Sequence, residues 1–203
     1  MQASTPSTTP PSPGRSEVVY HTAGVPERFR VPIVTDPDDA WNRKRAELWG
    51  MVGTGKGAIV LIHGPRGRGK TQMVCDVCHF VRNGLGGRKP VNTRYTTAMD
   101  LFRDIRGAFN SDVRELDLIQ RYATPALLVI DEAHERGQTD FEGRVLTEIV
   151  DLRYCAMRET FIVTNETPEQ AQKSLGPSIW SRMTQTGGLV EVNWVNYRAG
   201  GGK

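Results

Sequence analysis

One eight-residue stretch constrains this chain more than any other: Gly64-Pro65-Arg66-Gly67-Arg68-Gly69-Lys70-Thr71. It fits G-x-x-x-x-G-K-[ST], and its flanks give that pattern meaning. Ala58–His63 before it is a continuous apolar run, which predicts a strand buried on both faces. Lys70–Asn83 after it predicts a helix, with Met73, Val74, Val77, Phe80 and Val81 on one side. A glycine loop between such a strand and helix cradles phosphate. Glycines let successive backbone N–H groups turn toward the anion, and the helix N-terminus adds partial positive charge. Lys70 reaches the β- and γ-oxygens of a nucleotide, and Thr71 offers its hydroxyl to Mg²⁺. The candidate nucleotide-binding residues are Gly64, Pro65, Arg66, Gly67, Arg68, Gly69, Lys70, Thr71 and Gln72, with ATP and Mg²⁺ as the expected ligands. For Arg66 and Arg68 two readings stand: solvated decoration, or groups facing a neighbouring subunit or nucleic acid.

A second stretch imitates the first. Gly50-Met51-Val52-Gly53-Thr54-Gly55-Lys56-Gly57 also spells G-x-x-x-x-G-K, but it ends in Gly57 and so lacks the hydroxyl for a cation. It also precedes a strand instead of following one. It reads as a flexible connector.

Leu127-Leu128-Val129-Ile130-Asp131-Glu132 is an apolar strand ending in two carboxylates, some 60 residues after the loop. Asp131 is placed to hold Mg²⁺ through water, and Glu132 to polarise the attacking water. The stretch Asp131-Glu132-Ala133-His134 also spells the box of one helicase superfamily. Those helicases need two nucleotide-domain lobes, so His134 reads as a loop residue, not a catalyst. Thr164-Asn165 ends the following strand; the Asn165 amide either orients the water against the γ-phosphate or simply forms the turn before Glu166-Thr167-Pro168.

The rest of the chain alternates in the same way. Helices are predicted at Asp38–Met51, Ala98–Phe109, Val113–Tyr122, Phe141–Met157, Pro168–Lys173 and Ser178–Arg182, and further strands at Val91–Thr96, Thr160–Thr164 and Leu189–Trp194. Alternation means an α/β fold: a parallel sheet with helices on both faces. Residues 1–16 hold eleven Ser, Thr or Pro and read as a disordered tail. Residues 17–57 read as an N-terminal extension carrying a helix, 58–198 as the nucleotide-binding domain, and 199–203 as a flexible end.

Composition excludes several classes. The longest apolar runs have five residues, against the roughly 18 of a membrane span, so no membrane role is expected. The start has no basic end and apolar core of a secretory signal. Three cysteines build no disulfide framework, which fits a reducing cytoplasm. A net charge of +3 permits nucleic-acid binding without requiring it. Cys75 and Cys78 spell C-x-x-C inside a helix and read as packing thiols, as Cys155 reads as core. Trp180 is either an interface anchor or a core residue.

Taken together these features resemble the AAA+ ATPases, and more narrowly the DnaC-type helicase loaders and their IstB-type transposition-helper relatives. Beyond the loop and Leu128–Glu132, the resemblance rests on Ala23-Gly24-Val25-Pro26-Glu27-Arg28-Phe29 and Thr139-Asp140-Phe141-Glu142 with Arg144. It continues through Asp151-Leu152-Arg153-Tyr154, Thr164–Glu169, Ser181-Arg182-Met183 and Asn193-Trp194-Val195-Asn196-Tyr197-Arg198. It implies a three-layer P-loop NTPase fold of the AAA+ type, with a five-stranded parallel sheet. It implies that Asn165 is the sensor asparagine, Arg182 an arginine finger acting on ATP of the adjacent subunit, and Arg198 a second sensing arginine. It further implies ATP hydrolysis, self-association into a ring or spiral, single-stranded DNA binding and contact with a replicative helicase during DNA replication. Tyr95, Arg94 and Arg103 fall on the arm where related ATPases touch single-stranded DNA; the alternative is a solvated face.

The chain departs from the pattern in two ways. Only about fifty residues stand where loaders carry a helicase-binding domain, and Ser178 stands where some carry a further arginine. Either Trp41–Trp49 or a separate protein would then supply helicase contact. Compactness suits a phage or other mobile element. The expected function is an ATP-hydrolysing DnaC-like protein that loads or remodels a replicative helicase. The alternative is an IstB-like, ATP-gated DNA-binding adaptor assisting a transposase.

Overall fold

The computed structural model describes residues 24–31, 39–108 and 114–194. The expected tail at 1–16, the end at 199–203 and the candidate Arg198 lie outside them. The strands are β1 (Ile59–His63), β2 (Thr93–Thr97), β3 (Leu127–Asp131), β4 (Glu159–Val163) and β5 (Gly188–Glu191). All pair in parallel, in the order β2-β3-β4-β1-β5. The helices are α1 (Ala40–Met51), α2 (Lys70–Arg82), α3 (Ala98–Gly107), α4 (Glu115–Ala123), α5 (Asp140–Cys155), α6 (Pro168–Leu175) and α7 (Pro177–Thr186).

The continuous apolar runs have a simple geometric reason. Successive strand side chains point to opposite faces, and here both faces are covered. Val60, Ile62, Val129, Phe161 and Val163 pack with α1 and α2, while Ile59, Leu61, Leu128, Ile130 and Ile162 pack with α3, α4, α5, α6 and α7. The helix starts are encoded locally. Asp39, Thr97, Thr139 and Thr167 each accept a backbone N–H of the first turn, and Thr167 forms a capping box with Gln170 before Pro168. The last two helices run longer than the sequence predicts. Gly176, at φ 83°, separates them and lets α7 begin at once.

Two buried arginines organise the layers. Arg45 of α1 pairs with Asp76 of α2 at 2.8 Å and lies over the rings of Trp41 and Phe80. This ties α1 to the helix that follows the glycine loop. Arg153, fully buried in α5, donates to the carbonyls of Tyr122, Ala123, Pro125, Ala126 and Glu159 and to the Thr160 hydroxyl. It thereby fixes where β3 and β4 start. Burial and the nearby Arg158 charge pull its guanidinium down to about 9.

Two expectations change. Cys155 is exposed, because the buried stripe of α5 runs Leu146, Ile149, Val150, Arg153 and Cys155 falls off it. Tyr95 is buried, so its ring offers no stacking surface to nucleic acid. Beside it, Arg94 lies over the Tyr122 ring and Arg103 pairs with Asp100. Trp180 is half-buried against the α5 side of the core. Among the described residues no helix is long and apolar enough to cross a membrane.

Candidate functional site

A cleft of about 410 Å³ opens at the carboxyl edge of the sheet, where open parallel sheets place their ligands. Its floor is the loop between β1 and α2, with Arg66, Gly67, Arg68, Gly69, Lys70, Thr71 and Gln72 on the lining. Gly64 leaves β1 at φ 136°, and a Cβ there would stand 2.2 Å from the Val192 carbonyl oxygen. Only glycine lets the loop pass that strand exit. Gly69 caps α2 in the left-handed region, at φ 79°. The loop is also clamped from outside: Trp194 Nε1 donates to the Arg68 carbonyl, Arg68 donates back to the Trp194 carbonyl, and Trp41 Nε1 donates to Gly69 O. Arg68 is therefore tied to its own chain. Arg66 is exposed and pairs with Glu135 at 2.6 Å.

The polar side chains of the cleft arrive from three adjacent strands. Lys70 Nζ donates to Gly64 O (2.6 Å), Pro65 O (2.8 Å) and Asn165 Oδ1 (2.7 Å). Because β4 lies between β1 and β3, Asn165 at its exit stands between the loop and the acidic strand. Asp131 ends β3. Its carboxylate accepts the Tyr95 hydroxyl (2.8 Å) and the backbone N–H of Glu132 (2.7 Å). Burial and the Asp131 charge push the Tyr95 phenol well up, which keeps it a donor. Glu132 follows at φ 53°, ψ 42°, in the left-handed region that side chains avoid. Strain of about 1–2 kcal/mol held at a cleft is characteristic of functional positions, and Glu132 lines this one.

Thr71 and Asp131 face the same cleft, and their oxygens suit a hard divalent cation. A carboxylate that accepts two hydrogen bonds still has lone pairs to offer. Among the described residues no cluster of three or more His, Cys, Asp or Glu could hold a metal alone. An ion here would share its ligands with nucleotide phosphates and water, as Mg²⁺ habitually does.

Of the lining residues that were not singled out from the sequence as site residues, three bear on the site. Arg28 and Phe29 reach the cleft from the segment 24–31. That segment is anchored by Gln72 Nε2, which donates to Val31 O (3.0 Å) and to Asp76 Oδ1 (2.9 Å). The third is His134, in a 3-10 turn after β3, whose ring touches both Asn165 and Arg66. The only sequence signal for Arg28 and Phe29 was their place in the stretch from Ala23 to Phe29; for His134 it was the Asp-Glu-Ala-His spelling. Arg182, by contrast, is not on the cleft. It donates to the Ser178 hydroxyl and carbonyl, pairs with Asp151 at 3.0 Å and lies over the Tyr154 ring.

Known proteins agree with this architecture. The "Replicative helicase loader DnaC" of Escherichia coli (strain K12) is 29% identical over 144 residues, covering 70% of this chain and 57% of that protein. The chain thus spans little more than half the length of that relative. Among solved structures, DnaI superposes with a TM-score of 0.65 at 17% identity, over 85% of this chain and 97% of that one. A replication initiator DnaA bound to AMPPCP and single-stranded DNA superposes at 0.64 with 15% identity, over 84% and 51%. These likenesses establish the P-loop AAA+ fold. The family described as "IstB-like ATP binding protein" matches residues 36–199, most of the sequence and all of the sheet, and it is to this family that the chain belongs.

Proposed function

We propose that the chain binds ATP with Mg²⁺ in this cleft and hydrolyses it, as a DnaC-like factor that loads or remodels a replicative helicase on single-stranded DNA. The observation that carries the catalytic part is convergence. The Lys70 ammonium, the Asn165 amide and the Asp131 and Glu132 carboxylates meet on one cleft from β1, β4 and β3. Similarity to a replicative helicase loader supports the helicase partner.

The residues divide the work. Loop N–H groups and the start of α2 bind the phosphates. Lys70 exchanges acceptors it now holds, such as Gly64 O or Asn165 Oδ1, for β- and γ-oxygens. Thr71 and Asp131 would hold Mg²⁺, which would supply positive charge to the bound phosphates. Glu132 orients a water and takes its proton as the water attacks the γ-phosphorus, while the Asn165 amide fixes its approach. Arg182 serves the cleft of a neighbouring copy in a ring or spiral, so hydrolysis reports assembly. Its absence from its own cleft supports that reading.

Glu132→Gln should keep ATP binding and lower turnover by at least about 100-fold; unchanged turnover would end the assignment. Arg182→Ala should bind ATP and lose assembly-stimulated hydrolysis by about 10³-fold. Mixing it with Lys70→Ala subunits should restore turnover if the finger acts in trans. The family match favours a second reading, an ATP-gated DNA adaptor for a transposase. A pull-down against the host's replicative helicase, with and without ATP, separates the two: capture supports loading, and no capture in either condition supports the adaptor.

A further inference from the structure

His134 has no role in the scheme above, yet its ring sits in the cleft with a side chain only 15% exposed. Lys70 settles how the neighbouring amide faces. An ammonium only donates, so the Asn165 oxygen, 2.7 Å away, must point at it. The Asn165 NH₂ group then points the other way, at His134 Nε2, 2.9 Å distant. With the amide so oriented, the 2.9 Å contact assigns Nε2 as acceptor and the ring proton to Nδ1. The Asn165 backbone N–H, 3.4 Å from Nδ1, is the longer contact and gives way in this arrangement. Arg66 Nη2 lies 3.4 Å from the same Nε2, so a second donor also meets that lone pair. Glu135 Oε1 approaches the same Nε2 at 3.2 Å but takes its hydrogen bond from Arg66, at 2.6 Å.

We infer that His134 is a positioning residue for ATP hydrolysis: it holds the Asn165 amide in the orientation that faces the γ-phosphate when Lys70 lets go. The inference rests on the ATPase reading. Asn165 is gripped from two sides, by Lys70 at its oxygen and His134 at its nitrogen. Phosphate binding draws Lys70 away and removes one grip. The His134 contact remains, so the amide keeps its direction without a search through rotamers, and Arg66 with Glu135 steadies the ring from the loop side. Asn165 without His134 would swing on its own side-chain torsions, and a small misplacement of a positioning group is costly to rate.

The test compares His134→Phe, which keeps a ring but no acceptor, with His134→Gln, which keeps an acceptor. His134→Phe should lower kcat about 10-fold while the affinity for a non-hydrolysable ATP analogue stays within about two-fold. His134→Gln should recover to within about three-fold of wild type. Wild-type kcat in His134→Phe would overturn the inference, as would an equal loss in both variants or a parallel loss of analogue affinity. Wild-type turnover, and its disappearance in Glu132→Gln, are measured alongside. If those hold and His134→Phe is silent, only the role of His134 falls. If the wild type shows no turnover, the ATPase reading falls and takes this inference with it.

Discussion

Two loops of this chain spell nearly the same thing, and the fold sets them at opposite ends of β1. Gly64–Thr71 leaves the carboxyl end of β1 and enters α2, so its N–H groups and the helix start face one open cleft. Gly50–Gly57 leaves α1 and enters the amino end of β1, on the far edge of the sheet. There the carboxylate of Glu159, at the start of β4, lies against the backbone N–H groups of Gly53 and Thr54, with its Oε1 buried and without a hydrogen-bond partner among the described residues. Lys56 is exposed, and no helix begins after it. A glycine-lysine pattern suits phosphate only where it leaves the carboxyl end of a strand and a helix begins after it.

The largest effect should come from the two lysines. Lys70→Ala should abolish ATP binding, a loss of at least about 100-fold in affinity, whereas Lys56→Ala should bind as wild type; equal effects in a nucleotide titration would erase the distinction between the loops. Next is the hydroxyl: Thr71→Ala should weaken Mg²⁺-dependent ATP binding by about 10-fold, while Gly57→Thr should create no second site. Gly57 has φ 63°, and its Cβ would stand 2.6 Å from the Met157 Cα, so that variant should instead lose stability in denaturant melts.

A smaller effect should come from the anion beside the second loop. Glu159→Ala should cost about 1–3 kcal/mol of stability, from donors left without an acceptor, with ATP affinity unchanged. Burial raises the Glu159 carboxyl above its ordinary 4.5. The folded chain then binds more protons than the unfolded one above that pH, so this group's contribution falls as pH rises from 4.5 through its folded value. Glu159→Gln should remove that slope, read as the difference from wild type as pH rises from 4.5. The difference matters because His79 runs the other way. Burial takes it from 6.5 to about 4, and its contribution is lost as pH falls through that window. A Glu159→Gln slope identical to wild type would mean that the carboxylate does not lie buried against the second loop.

Much of this was readable in advance, for reasons that differ by residue. The strand–loop–helix around Gly64–Thr71 was legible because its constraint is local: glycines, a lysine and a hydroxyl at fixed spacing, with a buried strand before and a helix after. The acidic strand was legible for the same reason. Cys155 was misread because two residues past Arg153 is enough to leave a helical stripe. Tyr95 was misread because its partner, Asp131, is 36 residues away and reachable only once β2 and β3 pair.

The sequence alone determined the element types and the kind of cleft, since apolar periodicity and loop chemistry act over a few residues. Only the tertiary structure decided the strand order that sets Asn165 between Lys70 and His134. It alone tied Arg68 back to Trp194 and set the buried Glu159 carboxylate beside the second glycine loop. Those outcomes depend on contacts between distant residues, and no local pattern records which donor meets which acceptor when the sheet closes.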